Sequence, residues 1–429
     1  MATLLRQSLG VAVATMAITA AFWSAAGPSS RIDPRGDYVA YYEPTARALA
    51  ADGRPILADG SISTRYPPGY PLILAALFRV AAVTGIPETT ALWAGALVAA
   101  AIASVSLFLA ARLLWPYPAA LITPLLWVTC PLVLGVTAIE GSEPAFFAVF
   151  FTACATGLSA VLHGRVSARL FVAGGLMGAA MLIRPIALAT GGLLALAVWF
   201  AWRHRQGRAA RAAAVALALS GNLVVAGPWI WWVSSQTGRM ILLSDGGAPS
   251  VRDGLTYATN LKGYRSGVAV PADVEALMRA VQARYQELDS MGAIATVLWE
   301  EARTRPGAAV RLLALKAARS WYGTDSQRRE GAILAVQAVY GLLIAVSTAY
   351  AWSAGGRARG VTVAVWVGTV YFWGMTTMVL SIARYMLPAL GLLFLLPPAL
   401  AAAPRGVRRP WTVGASMSTE AAPVEGHRA

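Results

Sequence analysis

The sequence predicts an all-α polytopic membrane protein, with about ten transmembrane helices, further helices lying along the outer face of the membrane, and a small helical outer segment. Three observations lead there. The 429 residues are 57% apolar and only 13% charged, whereas an average soluble chain carries about 25% charged residues. Apolar stretches of roughly 20 residues, enough to cross the hydrocarbon layer, recur along the chain. The links between them alternate between arginine-rich, acid-free tracts and tracts nearly free of arginine, the asymmetry that orients membrane proteins.

The same arithmetic excludes other classes. The two cysteines, Cys130 and Cys154, both sit in apolar runs and cannot staple a disulfide scaffold. So apolar a chain is not disordered. The formal net charge of +15 is carried almost wholly by arginine, since Lys262 and Lys316 are the only lysines. A nucleic-acid partner would call for a basic stripe interleaved with aromatics. Here the arginines sit in short tracts between apolar segments, so no nucleic acid is expected.

The spans are expected at residues 4–26, 89–115, 118–138, 143–162, 170–183, 186–202, 212–232, 332–352, 361–381 and 385–402. The first also has features of a cleaved signal peptide, with Arg6 as its charged region and Ser24-Ala25-Ala26 near a cleavage site, but it runs long for one. Residues 170–202 would make one helix of about 50 Å, too long for a hydrocarbon layer of ~30 Å. Two short helices turning at Arg184-Pro185 fit better.

The arginine-rich links hold Arg112, then Arg165 and Arg169, then Arg203, Arg205, Arg208 and Arg211, then Arg357 and Arg359, and finally Arg405, Arg408 and Arg409. These face the cytoplasm, and both termini lie on that side. The alternate links, with Arg184 and Arg384 as their only short-loop arginines, face outward. On this parity the apolar stretch 66–84 lies along the outer surface. It opens Tyr66-Pro67-Pro68-Gly69-Tyr70-Pro71 and carries Arg79, which suits an interfacial helix better than a span.

Within a membrane domain of residues 1–403, two outer regions are too long to be plain links: residues 27–84, and residues 233–330 with helical patterns at 272–289 and 291–305. Residues 306–322 set Arg311, Lys316 and Arg319 beside apolar residues, the pattern of a helix on a membrane surface. Residues 404–429 read as a disordered cytoplasmic tail.

Candidate chemistry lies on the outer side. Asp37 follows the first span closely and shares a helical face with Tyr41. A carboxylate at the bilayer surface can take a proton from a hydroxyl presented from the outer aqueous side, or it can simply cap the following helix, as can Asp33. Glu140 and Glu143 stand at a membrane boundary, where acids are costly to bury without a purpose. Either can pair with an outward arginine, orient an acceptor, or join Asp37 in holding a divalent cation. Glu143, just before Pro144, also favours the start of its helix.

Arg184 and Arg384 break the outward arginine deficit, each where a span meets the outer face. A guanidinium there grips a phosphate at headgroup depth in a bidentate way, or snorkels to lipid headgroups. Arg65 is a third candidate. There is no Walker loop, no dinucleotide-binding glycine motif and no zinc-binding cluster. His163, His204 and His427 fall on the cytoplasmic side, and a nucleotide-fuelled machine is not expected.

Six motifs in order carry a resemblance. They are Asp37-x3-Tyr41; Ala46-Arg47-Ala48-Leu49 with Gly53; Tyr66-Pro67-Pro68-Gly69-Tyr70-Pro71-Leu72; Glu143 opening a span; Leu182-Ile183-Arg184-Pro185; and Arg384-Tyr385-x-Leu387-Pro388. Together, over residues 4–402, they resemble the GT-C membrane glycosyltransferases, and most of all the group of protein mannosyltransferases, aminoarabinose transferases and rhizobial galacturonosyltransferases.

The resemblance implies a GT-C-like fold in a bacterial cytoplasmic membrane. It implies a sugar donor carried on polyprenyl phosphate and inverting transfer to a hydroxyl of a glycan, lipid or protein on the outer face. Asp37 becomes the catalytic base and Arg184, Arg384 and Arg65 the donor-phosphate contacts. Glu143, with Glu140 and Tyr41, becomes an acceptor or metal contact; no cofactor is certain, and a divalent cation is the one expected if any. Two departures stand out. Some relatives have an acidic pair where this chain has Asp37-Tyr38, and a lysine where it has Tyr66. The rival reading is a transporter or flippase of a lipid-linked sugar, which would show repeats and midplane ionisable residues; neither is visible here.

Overall fold

A computed structural model of the protein describes residues 2–26, 36–57, 59–139, 141–257 and 270–402. Among them every named element is helical, with one isolated bridge between Ile56 and Ile62. Helix α1 (Ala2–Ala26) is followed by a π-helical turn, Tyr38–Tyr42, which runs straight into α2 (Glu43–Asp52). Then come α3 (Gly69–Thr84), α4 (Glu88–Leu114), α5 (Ile122–Thr129), α6 (Pro131–Ile139), α7 (Ser142–His163), α8 (Ala168–Ile183), α9 (Thr190–Ala201) and α10 (Arg208–Thr237). The outer segment contributes α11 (Gly247–Tyr257), α12 (Ala272–Ala283), α13 (Met291–Thr304) and α14 (Pro306–Arg319). The chain continues through α15 (Glu330–Ser353) and α16 (Gly356–Met378) to a 3-10 turn, Ala383–Met386, then α17 (Leu387–Leu393) and α18 (Pro398–Ala401).

Seven segments among the described residues are long and apolar enough to cross a membrane: α1, α4, α7, α10, α15, most of α16, and the run Ala383–Ala401. The chain is thus an all-helical multi-pass membrane protein. Ten spans were expected; the other three differ in form. Residues 118–138 are not one helix but α5 and α6, bent by 54° at Cys130. Pro131 is the cause: its ring crowds the preceding residue out of helical geometry, and Cys130 sits at φ −67°, ψ 117°.

The remaining two are the short helices flanking Arg184. Helix α8 ends because Arg184 is extended, at φ −142°, ψ 121°, ahead of Pro185. A break at membrane depth leaves backbone groups needing partners. Tyr371 of α16 supplies them: its hydroxyl donates to the Ile186 carbonyl at 2.7 Å and accepts from the Ala189 amide at 3.1 Å.

Close packing in the bundle rests on small residues, as expected where lipid removes the hydrophobic drive between helices. The α8–α10 contact is the clearest case. A Cβ on Gly174 would overlap the Ala218 carbonyl, one on Gly221 would overlap the Phe171 carbonyl, and one on Gly178 would stand 2.7 Å from the Asn222 oxygen. All of these obstacles are backbone and cannot rotate away. Gly174→Val is therefore expected to cost about 1–3 kcal/mol, read as a lower thermal midpoint of the purified protein. An unchanged midpoint would show that α8 and α10 are further apart than described.

The outer segment corrects one expectation. Helix α14 does not spread its basic residues over a membrane surface. Lys316 and Arg319 are buried with Ala308 and Leu312, while Val310 and Leu313 point outward. The cations turn inward because partners wait there. Arg319 reaches Glu330 at 2.6 Å, and Lys316 Nζ lies 3.4 Å and 3.5 Å from the carbonyls of Met378 and Val379 at the end of α16. Arg311 stays exposed and pairs with Asp273 of α12.

Burial first, and the nearby Arg319 charge second, pull the Lys316 ammonium down to about 8. The unfolded chain then binds more protons than the folded one between about pH 8 and pH 10, so stability rises with pH across that window. Lys316→Met removes this titration. The gap between the thermal midpoints of variant and wild type, with the variant higher, is expected to be full below about pH 8 and to close as pH rises toward about 10. A constant gap would exclude it.

Candidate functional site

Three close approaches bring one set of helix ends together. The Tyr66-Pro67-Pro68 turn leads into α3 at Gly69, where a Cβ would stand 2.7 Å from the Ile183 amide nitrogen. Glycine thus lets this turn press against the backbone next to Arg184. A Cβ on Gly141 would run into the Tyr70 hydroxyl, so the start of α7, with Ser142 and Glu143, sits against α3. The 3-10 turn Ala383–Met386 then brings Tyr385 to the same place.

The expected residues meet through two tyrosines. The Tyr66 phenol lies near Asp37, whose charge acts on it. Its ring packs 5.6 Å from that of Tyr41 and 4.8 Å from that of Tyr42, and the Arg65 guanidinium lies 6.0 Å from its centroid. Tyr385 is flanked by both outward arginines: the guanidinium carbons of Arg184 and Arg384 each lie 5.2 Å from its ring centroid. The Tyr66 side is joined to Arg184 through rings and backbone: Tyr42 packs on Tyr66 and, at 5.1 Å, on Tyr70, whose hydroxyl stands against Gly141 beside Ser142, the partner of Arg184. Asp37, Tyr41, Arg65, Glu143, Arg184 and Arg384 therefore form one connected cluster. Glu140 and Asp33 lie outside the described residues.

Burial above all, then the negative character of Tyr42 and Asp37, raises the Tyr66 phenol well above the ordinary tyrosine range. It is a proton donor at neutral pH. One phenol occupies at most one of about four acceptor positions on a carboxylate, so Asp37 keeps capacity for a substrate hydroxyl. The capping alternative is not realised, because Asp37 precedes the π-helical turn without a side-chain capping bond. That turn also modifies the expected shared face of Asp37 and Tyr41, since its hydrogen bond runs from the Glu43 amide to the Tyr38 carbonyl. Single π-helical turns occur often at functional sites.

Of the three roles open to Glu143, the structure realises the pairing with an outward arginine. Glu143 is 1% exposed, forms an ion pair with Arg184 Nη1, and accepts from Ser142 Oγ at 3.0 Å. Arg184 Nη1 also donates to Ser142 Oγ at 3.0 Å. This pair fixes one edge of the Arg184 fork beside Tyr385. Among the described residues no three His, Cys, Asp or Glu side chains gather as metal ligands. Glu143 is committed to Arg184, and Glu140, the other acid expected there, lies outside the described residues.

Below Asp37 runs a largely apolar cavity of about 260 Å³, bordered by α1, α3, α4 and α7. Its lining includes Gly36, Asp37 and Tyr38 ahead of α2, and Gly141 and Ser142 at the start of α7. Along α4 it extends from Leu92 to Ile102, about 15 Å at the helical rise. Gly95, Ala96 and Ala99 leave the room.

Comparison with known proteins finds no family model, no curated protein and no solved structure that matches this chain. The site therefore rests on its own geometry. Sequence reasoning placed Asp37 and the arginines but gave no role to Tyr66, Tyr385 or Ser142. The available signal was adjacency: Tyr385 follows Arg384, Ser142 precedes Glu143, and Tyr66 opens the Pro-Pro turn.

Proposed function

We propose that this protein is a membrane glycosyltransferase of the GT-C kind. It moves a sugar from a polyprenyl-phosphate donor to an acceptor hydroxyl on the outer face of a bacterial cytoplasmic membrane, with inversion. The observation that carries the reading is the placement of Asp37. It lines an apolar cavity deep enough for the head of an isoprenoid chain, and the same lining includes Ser142, to which Arg184 is hydrogen-bonded, with Arg384 across the Tyr385 ring from Arg184. An apolar cavity with a few convergent polar groups is the usual form of a ligand site.

The chemistry follows from the placement. The acceptor hydroxyl gives its proton to Asp37 while its oxygen bonds to the anomeric carbon. The bond from that carbon to the phosphate oxygen breaks, and the electron pair leaves on the phosphate. A phosphate leaving group is already a weak base, so the arginines, by stabilising the growing charge, supply most of the help required. Because a single displacement inverts the anomeric centre, the base and the phosphate clamp must face opposite sides of the sugar.

The test is direct. The purified chain in proteoliposomes is given polyprenyl-phosphate donors carrying labelled mannose, aminoarabinose or galacturonate, together with native envelope as acceptor. Label transfer and release of polyprenyl phosphate are expected with at least one donor. Binding of donors with transfer from none of them, accompanied by their movement between leaflets, would replace this reading with that of a flippase.

A further inference from the structure

Arg384 is held in place by the outer segment, and the route can be followed bond by bond. Glu330, the first residue of α15, is fully buried and accepts through Oε1 from Arg319 at 2.6 Å and from the Thr324 amide at 3.0 Å. That second bond fixes the turn between α14 and α15. On the same turn the Gly323 carbonyl accepts from the Ala383 amide at 2.8 Å, and Ala383 is the residue before Arg384. Gly323 cannot carry a side chain there, since its Cβ would meet the carbonyls of Ser381 and Arg319. Further back, Lys316 binds the carbonyls of Met378 and Val379. The strand of chain leading to Arg384 is thus gripped at Met378, Val379, Ser381 and Ala383, all from one side.

Two more observations concern the turn itself. Gln327 and Arg329 are the non-glycine residues with positive φ among those described, at 54° and 59°. Such strain persists only where surrounding structure enforces it, and it gathers at ligand clamps. From the same turn Asp325, half exposed, sets Oδ2 3.6 Å from Arg384 Nη1. Its carboxylate meets the guanidinium that the proposed function assigns to the donor phosphate.

We propose that Glu330 is a positioning residue for Arg384, acting through Thr324 and Gly323, and that Asp325 is the internal anion which the phosphate of the lipid-linked donor displaces. The identity of the displaced anion rests on the transferase reading; the positioning role does not. Asp325 keeps Arg384 aimed at the site while no donor is bound, at the cost of competing with it. Replacing Asp325 should therefore tighten phosphate binding, whereas replacing Glu330 should weaken it.

The experiment uses the full chain in nanodiscs, with unglycosylated polyprenyl phosphate as the probe, and two readouts: its dissociation constant, and amide hydrogen exchange across residues 380–386. Asp325→Asn is expected to lower the dissociation constant about 2- to 5-fold, the range for an exposed carboxylate leaving an arginine. Glu330→Met, which removes the acceptor for Thr324, is expected to speed exchange across residues 380–386 and to raise the dissociation constant at least about 10-fold, as when a donor is misaimed. Should Glu330→Met fail to fold, the paired change Arg319→Met with Glu330→Met keeps the volume, removes the unpaired charge and still lacks the acceptor for Thr324. Wild-type exchange across residues 380–386 in the variants that fold would overturn the positioning role. An unchanged dissociation constant in Asp325→Asn would overturn the role of Asp325. If wild type itself does not bind polyprenyl phosphate, the transferase reading and the displaced anion fall together, and the exchange readout alone decides the positioning role.

Discussion

Asp37→Asn is expected to slow sugar transfer by about 10²- to 10⁴-fold, the usual contribution of a positioned base, while polyprenyl phosphate binds as in wild type. The substitution is nearly isosteric, so the packing around Tyr66, Tyr41 and Tyr42 is kept. What it removes is the ability to take a proton from the acceptor. Loss of transfer with intact binding therefore separates the base from the clamp. A transfer rate within about threefold of wild type would sink the assignment, because no proton acceptor of this kind can be that dispensable. Tyr66→Phe provides the graded companion. It leaves Asp37 ionisable but removes the polar phenol near it, an effect of about 1 kcal/mol, so a loss of roughly fivefold is expected. If Tyr66→Phe matched Asp37→Asn, the phenol and not the carboxylate would be handling the proton.

The parts of this site that were legible in the sequence were those with a charge in the wrong place. Arg184 and Arg384 break an arginine asymmetry that otherwise holds, and Asp37, Glu140 and Glu143 are acids at a boundary that disfavours them. Hydropathy located all of the long helices, because twenty apolar residues have few alternatives. It did not show the bend at Cys130, since Pro131 is silent in a hydropathy average and acts only through local sterics. The inward turn of Lys316 and Arg319 was equally hidden. On α14 alone these residues fit a membrane-facing helix; only the distant Glu330 and the end of α16 give them a reason to face in. The tyrosines escaped for a related reason. A neutral hub announces itself through contacts across 201 residues of chain, between Tyr385 and Arg184, and not through its immediate neighbours.

Glu143→Ala is expected to destabilise the protein by about 3–5 kcal/mol, because it leaves the Arg184 guanidinium buried without its counter-charge. Arg184 is 12% exposed and Glu143 2%, side chain by side chain, so water cannot substitute for the lost carboxylate. Ser142 retains one hydrogen bond to Arg184, which is too little to offset the charge. Stability alone does not explain why the pair is there. Two apolar residues of similar volume often hold a buried site at least as well as an ion pair does, so the paired change Glu143→Met with Arg184→Met is expected to recover most of the thermal midpoint. Transfer is not expected to recover with it, since the fork beside Tyr385 would be gone and polyprenyl phosphate would bind at least about 10-fold more weakly. The two variants together separate a structural role from a functional one. If the paired change restored both stability and phosphate binding, Arg184 would be a bundle residue only, and Arg384 with Arg65 would have to hold the donor without it.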